Sequence, residues 1–130
     1  MGYALTTTVD EPFADVLDAV RAALGEQGFG VLTEIDLAAT LREKIGAEID
    51  PQVILGACRP PLAHAAVQAE PSIGLLLPCN VVVREVAEGG VVVEALNPDV
   101  MVELTHNEAL ADLARDAKER LSAALATLTG

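Results

Sequence analysis

The chain has 130 residues, of which 52% are hydrophobic and only 2% aromatic, and its formal net charge is -12. This length suits a single domain, residues 1–130, with a core built from Val, Leu, Ile and Ala. The 8 basic residues are scattered among 20 acidic ones, whereas a nucleic-acid-binding protein needs clustered Lys and Arg. We therefore expect no nucleic-acid partner, and the acidity is expected to serve solubility.

The same sequence argues against a membrane protein. No apolar stretch approaches the roughly 18 residues that cross a bilayer, and the first residues form no basic or apolar signal segment. An acidic surface is also poorly suited to anionic lipid. The expectation is a cytoplasmic protein without a membrane partner.

Apolar periodicity predicts five strands with helices between them. A helix is expected after Asp10, ending at Gly28, and a short one after Asp36, ending near Gly46. A third helix should begin at Pro60. The strands are expected at residues 2–9, 29–35, 53–58, 79–86 and 91–96.

The end of the chain completes a two-layer pattern. Glu88-Gly89-Gly90 is typical of a tight hairpin, and Thr105-His106-Asn107-Glu108 has the form of a capping box that opens a long C-terminal helix. The resulting order, β-α-β(4)-α with inserted short helices, predicts an α+β fold. In it, a five-stranded, antiparallel-rich sheet carries helices packed on one face.

Two strands have apolar residues on both faces. Val82 and Val86, and likewise Val92 and Leu96, alternate with the valines that should face the helices. Unless an inserted helix covers this second face, it needs a second subunit. We therefore expect a homodimer, because symmetric dimers are the commonest soluble oligomers.

The candidate site is the only region that collects reactive side chains in apolar surroundings. Cys58, Arg59 and His64 lie in one segment, and Cys79 and Asn80 lie at the start of the next strand. The thiols are expected to sit side by side, with the guanidinium of Arg59 and the helix start favouring the Cys58 thiolate. Asn80 offers both a donor and an acceptor.

Three interpretations of this cysteine pair stay open. The thiols can be small buried hydrophobes beside an ordinary histidine. They can form a redox pair, although a structural disulfide is disfavoured in the cytosol. They can also bind zinc or copper together with His64, although the spacing matches no standard zinc pattern and supplies only three ligands.

Two segments resemble the signature of domain-of-unknown-function family 302, an uncharacterised bacterial and archaeal family. The matching residues are Gly56, Ala57, Cys58, Pro60, Ala63 and His64, then Leu76, Leu77, Pro78, Cys79, Asn80 and Val81. The resemblance implies a TATA-binding-protein-like α+β topology and homodimers, but no activity. Position 59 is Arg here, where the family often has Asn.

The leading hypothesis is a domain that binds a small ligand or a soft metal at Cys58, His64, Cys79 and Asn80. In it Cys58 is the nucleophilic thiol, Cys79 its partner, His64 a base or ligand, and Asn80 an orienting group. One alternative is a thiol-redox enzyme that uses Cys58 and Cys79. The other is a homodimeric interaction module whose cysteines are purely structural. The sequence assigns neither a catalytic residue nor a definite cofactor.

Overall fold

The computed structural model describes residues 2–129. Two short 3₁₀ helices, Pro71–Leu76 and Glu108–Leu110, lie in the second half of the chain. No helix in this part of the chain is long and apolar enough to cross a membrane. The strands and α-helices follow in the order β1 (Ala4–Val9), α1 (Phe13–Glu26), β2 (Gly30–Asp36), α2 (Leu37–Ile45), β3 (Gln52–Cys58), α3 (Pro60–Ala69), β4 (Cys79–Glu85), β5 (Val91–Leu96), α4 (Asp99–Thr105) and α5 (Ala111–Ala126).

The described strands form one open sheet in the order β1-β5-β4-β3-β2. Every neighbouring pair is antiparallel. The predicted α+β class and the five-stranded antiparallel sheet are therefore confirmed. The hairpin at Gly89 and Gly90 joins β4 to β5, and both glycines have positive φ, as a tight turn of this kind requires.

One face of the sheet packs against α1 and α5 and holds the main core. Leu55, Val81, Val83 and Val93 alternate along the central strands and are each 0% exposed. The helices contribute residues spaced at three and four positions, as a buried helix face requires, namely Val16, Val20, Leu24, Leu121 and Leu125. Each such side chain contributes about 1.5–3 kcal/mol when it leaves water.

The pairing of residues between strands also defines the opposite face of the sheet. The residues between the buried ones pair across the strands, as Val82 does with Glu94 and Glu94 with Thr6. They are all half-buried or exposed, with the exception of Gly56. This surface, called the open face below, comprises Ala4, Thr6, Thr8, Thr33, Ile35, Gln52, Ile54, Gly56, Asn80, Val82, Arg84, Val92, Glu94 and Leu96.

The predicted start and stop of α2 are confirmed, whereas the predicted cap of α1 is wrong: α1 begins at Phe13 with Pro12, not Asp10, at its N-cap and without a side-chain cap. The Asp36 side chain accepts a hydrogen bond from the Ala39 N–H at 2.9 Å, and Gly46 ends α2 in the left-handed conformation. The predicted capping box is wrong. Thr105 ends α4, and the Asn107 side chain instead accepts the first free N–H, that of Ala109, at 2.9 Å.

Candidate functional site

The two cysteines lie at adjoining strand ends. Cys58 is the last residue of β3 and Cys79 the first of β4, and Ala57 pairs directly with Cys79. Both are free thiols. The structure thus brings the thiols together, as the sequence suggested, but shows no bond between them.

Cys58 and Cys79 line a small apolar cavity beneath α3. Its volume is about 40 Å³, more than the roughly 10–15 Å³ that one water needs. The cavity reaches from the end of the sheet to α4 and α5. Its other walls include Phe29, Leu62, Ala63, Ala66, Met101 and Ala117.

The two thiols have different surroundings. Cys79 is 6% exposed, and burial, with a smaller contribution from Cys58, raises the pKa of its thiol to about 11. Desolvation penalises the thiolate, so Cys79 stays protonated at neutral pH. Cys58 is half-buried and therefore within reach of a solute in the cavity mouth.

Arg59 supplies a positive charge at the cavity. Its side chain lies along the turn after α1, where a Cβ built on Gly28 would meet the Arg59 Nε at 3.1 Å. Gly28 has φ +86, a conformation that glycine adopts without a steric penalty. The close approach and the turn both depend on the missing side chain at this position.

Arg59 has no partner for its charge. Within residues 2–129 it makes no ion pair or side-chain hydrogen bond, and the other two unpaired cations in this range, Arg42 and Lys44, are exposed on α2. Arg59 is instead half-buried. The remaining basic side chains each contact a carboxylate, namely Arg21, Arg84, Arg115, Lys118 and Arg120.

The start of α3 adds little to this charge. Pro60 and Pro61 have no N–H, and the N–H groups of Leu62 and Ala63 both bond to the Arg59 carbonyl at 3.0 Å. The first turn therefore presents no free backbone donor to a thiolate or ligand. The contribution expected from the helix start is therefore absent.

His64 is not part of the cavity. It is exposed on α3, and it follows Leu62 by two positions, a rotation of about 200° that turns it away from the wall formed by Leu62 and Ala66. In the described part of the chain no group of three His, Cys, Asp or Glu side chains could hold a metal. The set Cys58, His64 and Cys79 considered for zinc or copper is therefore not assembled.

Asn80 also lies outside the cavity and on the opposite face of the sheet from Cys79. Successive residues of a strand point to opposite faces, and Cys79 faces the core, so Asn80 lies on the open face beside Tyr3, Val82 and Glu94. Of the five candidate residues, the structure places Cys58, Arg59 and Cys79 around one cavity. His64 and Asn80 are separate from it.

Gly56 packs closely against Pro78, which lines the cavity, and was recognised only as part of a motif. A Cβ at this buried position would collide with Thr33 Oγ1 and would lie 2.7 Å from Pro78 Cγ. Only glycine lets β2 and the segment before Cys79 approach β3 this closely. The walls from Met101 and Ala117 were missed as well, because nothing in the local sequence links them to the cysteines.

Comparisons with known proteins agree with this description. The family model for a domain of unknown function, DUF302, matches residues 5–128. The crystal structure of an uncharacterized conserved DUF302 protein from Bacillus stearothermophilus is similar, with 27% identity, a TM-score of 0.91, and coverage of 98% of this chain and 99% of that one. No curated protein matches the chain. Since the family model spans nearly all of its residues, the chain belongs to the DUF302 family.

Proposed function

We propose that this domain binds a small molecule that has a short, thin apolar part and an anionic group. The apolar part would enter the cavity between Cys58 and Cys79, and the anionic group would lie at Arg59. One observation carries the proposal: a half-buried guanidinium that has no partner among the described residues lies beside an apolar cavity in a chain of net charge -12.

The charge of Arg59 favours an anionic ligand. A guanidinium that is partly withdrawn from water loses hydration without gaining a partner, and it matches a carboxylate or phosphate with two parallel hydrogen bonds. No carboxylate within residues 2–129 pairs with it, although the chain has 20 acidic residues. An anion from solution would supply the missing partner.

The volume of the cavity limits the size of the ligand's apolar part. Its volume of about 40 Å³ is roughly a quarter of the ~150 Å³ apolar cavity that holds benzene. A ring or a branched group therefore requires the walls to move, whereas the end of a straight alkyl or thioether chain does not. Each buried methylene contributes about 0.8 kcal/mol, so affinity should rise with chain length until the cavity is full.

The thiols contribute to this site as soft, apolar walls. Cys79 is protonated and sealed, and Cys58 stands closer to solvent. The proposal needs neither turnover nor a metal, and among residues 2–129 no third metal ligand joins the two thiols. His64 and Asn80 have no role in it.

A series of straight-chain carboxylates tests the proposal. Acetate, butyrate and hexanoate should raise the midpoint of thermal unfolding in order of chain length, by several degrees near saturation. Butylamine, which has the same length as butyrate but the opposite charge, should have no such effect. A saturable shift that is equal for butyrate and butylamine would contradict a role for Arg59.

Two matched variants test whether the ligand binds in the cavity and not elsewhere on α3. Ala63→Leu fills the cavity and should abolish the response to hexanoate, whereas Ala65→Leu, half-buried on the same helix but outside the cavity, should keep it. Arg59→Met keeps an apolar side chain at this position but removes the charge. It should therefore abolish the difference between butyrate and butylamine in the midpoint of thermal unfolding. If none of the carboxylates binds the wild-type protein, the proposal fails.

A second candidate function, thiol-disulfide exchange, rests on the pair of thiols in one cavity. The Cys58 thiolate would attack a low-molecular-weight disulfide and release one thiolate. The Cys79 thiol would then lose its proton to solvent and attack the Cys58 sulfur, releasing the second thiolate and leaving a Cys58–Cys79 disulfide. Treatment with glutathione disulfide distinguishes the outcomes by intact mass: loss of two hydrogens supports exchange, and a stable glutathione adduct or an unchanged mass excludes it.

A further inference from the structure

The first strand, β1, is an edge of the sheet with free backbone groups along its outer side. Within the described sheet it pairs with β5 alone. The Asn97 N–H donates to the Tyr3 carbonyl at 2.8 Å, so alternate residues from Tyr3 onwards turn their backbone groups towards β5. The N–H and C=O groups of Ala4, Thr6 and Thr8 therefore point away from the sheet, and no other strand or side chain within residues 2–129 bonds to them.

The two edge strands differ in how they are protected from pairing with another chain. Bulges, prolines and charged side chains are the usual means by which a protein blocks an edge. The strand β2 has a break in register between Val31 and Thr33 and carries the acids Glu34 and Asp36. The strand β1 consists of apolar residues and threonines in regular register, without a charge or a proline. It is therefore the edge at which a further strand can pair.

A groove of about 300 Å³ lies between β1 and the helix α5, on the helix side of the sheet. Its walls combine aliphatic and hydroxyl side chains, namely Leu5, Thr6, Thr7, Ser122, Leu125 and Ala126. Alternate side chains of a strand added to β1 would point to this side of the sheet. Because the groove adjoins the free backbone groups, one extended chain can use both, with its aliphatic side chains in the groove.

The charges around β1 are acidic and unpaired. Asp10 and Glu11 directly follow the strand, and Glu119 lies one turn before Ser122 on α5. All three acids are exposed and make no ion pair with residues 2–129. The cations of this range that have no carboxylate partner lie on α2, which packs against β2 and β3, and after β3, namely Arg42, Lys44 and Arg59. The edge at β1 therefore attracts a basic chain and repels an acidic one such as a second copy of this protein.

We propose that β1 binds an extended, basic peptide segment of a partner protein as an additional strand. The backbone of the segment would bond to Ala4, Thr6 and Thr8, and its aliphatic side chains at alternate positions would enter the groove. Since β1 has six residues, the paired part spans about 20 Å, and Lys or Arg side chains at its two ends would reach the flanking carboxylates. Main-chain bonds supply affinity in this mode of recognition, and the alternate side chains supply specificity. This inference is independent of the ligand site at Arg59.

A labelled synthetic peptide, Lys-Lys-Val-Thr-Ile-Thr-Val-Lys-Lys, tests the proposal by fluorescence anisotropy at low ionic strength. We expect saturable binding to the wild-type protein. A peptide with Glu in place of every Lys should bind at least tenfold more weakly, because its charge is reversed. The basic peptide with every central amide N-methylated should also bind at least tenfold more weakly, because it keeps the charge but cannot donate to the strand. A methylated peptide that binds as well as its parent would overturn the proposal, since charge alone would then hold it.

Two pairs of variants locate the peptide on β1. Thr6→Pro removes an outward N–H at an edge, where proline is tolerated, and should weaken binding at least tenfold, whereas Thr6→Val keeps the N–H and should bind as the wild type does. Ala126→Phe fills the groove and should weaken binding to a similar extent. Ala123→Phe, exposed on the same helix but outside the groove, should not. The midpoint of thermal unfolding of each variant shows that it is folded.

Three results would overturn the proposal. The first is a wild-type protein that does not bind the basic peptide. The second is equal binding by the wild type, Thr6→Pro and Ala126→Phe, because the peptide would then lie elsewhere. The third is an affinity that falls as the protein concentration is raised, because a second copy of the chain would then be the occupant of β1.

Discussion

Cys58 and Cys79 line the same cavity from the ends of adjacent strands, but only Cys79 is sealed from solvent. The pairing of Ala57 with Cys79 fixes this difference, because it turns Cys79 towards the core while Cys58 ends its strand at the cavity mouth. Two predictions follow from the contrast between the thiols.

The first concerns alkylation. Iodoacetamide at pH 8 should modify Cys58 at least about ten times faster than Cys79, since the buried thiol is both protonated and inaccessible. Peptide mapping by mass spectrometry measures both rates in one sample. In urea the two rates should converge. Equal alkylation rates for the two cysteines in the folded protein would mean that Cys79 is accessible to solvent.

The second concerns alkaline pH. The Cys79 pKa rises from the ordinary 9.0 to about 11 in the folded state. Below pH 9 both states keep the proton, and stability is unaffected. Between about pH 9 and 11 the unfolded state loses the proton first, so the free energy of unfolding falls by about 2–3 kcal/mol.

Cys79→Ala isolates this effect. The variant retains every other titrating group, so the difference in its pH dependence from the wild type reports Cys79 alone. Urea unfolding at pH 8, 9, 10 and 11 should show a steeper decline for the wild type. Parallel curves for the two proteins would show that the thiol is not desolvated.

Gly56→Ala should destabilise the fold by about 1–3 kcal/mol, because the added methyl group overpacks the space between Thr33 and Pro78. Gly25→Ala is the matched control. Gly25 has open space around it in a helix, where Ala is about 0.5–1 kcal/mol better than Gly. The midpoints of thermal unfolding of the two variants give the comparison. A Gly56→Ala protein as stable as the control would mean that the close packing of Thr33 and Pro78 against Gly56 does not require glycine.

Salt should strengthen the self-association that the sequence predicts. Two acidic copies repel each other over distances comparable to the Debye length, which falls from about 30 Å at 0.01 M to about 8 Å at 0.15 M. Sedimentation velocity should therefore give a lower dissociation constant at 0.15 M sodium chloride than at 0.01 M. The opposite trend would point to an interface held by ion pairs between the copies.

Much of the fold could be predicted because its determinants are local. Asp36 caps α2, Gly46 ends it, and the Gly89-Gly90 turn joins β4 to β5, and each of these depends on the conformational preference of one or two residues. The predicted capping box at Thr105 is wrong because of a contact between distant parts of the chain. The Asn107 amide also donates to the Ala69 carbonyl at 3.0 Å, which fixes Asn107 as the cap.

The candidate site was less predictable because proximity in sequence does not determine direction. Asn80 is adjacent to Cys79, but strand alternation places it on the other face of the sheet. His64 lies near Cys58 along the chain, but helical rotation turns it outward. These two could have been recognised from periodicity alone, whereas the cavity walls from Met101 and Ala117 depend on packing across the fold.

The most direct test of the ligand site is an NMR titration of isotope-labelled protein with butyrate, for the wild type and Arg59→Met. The proposal predicts saturable shifts of the amides around Gly28, Cys58 and Ala63 in the wild type, and an at least tenfold weaker affinity in the variant. Absent or scattered shifts in the wild type, or equal affinity in both proteins, would contradict an anion site at Arg59.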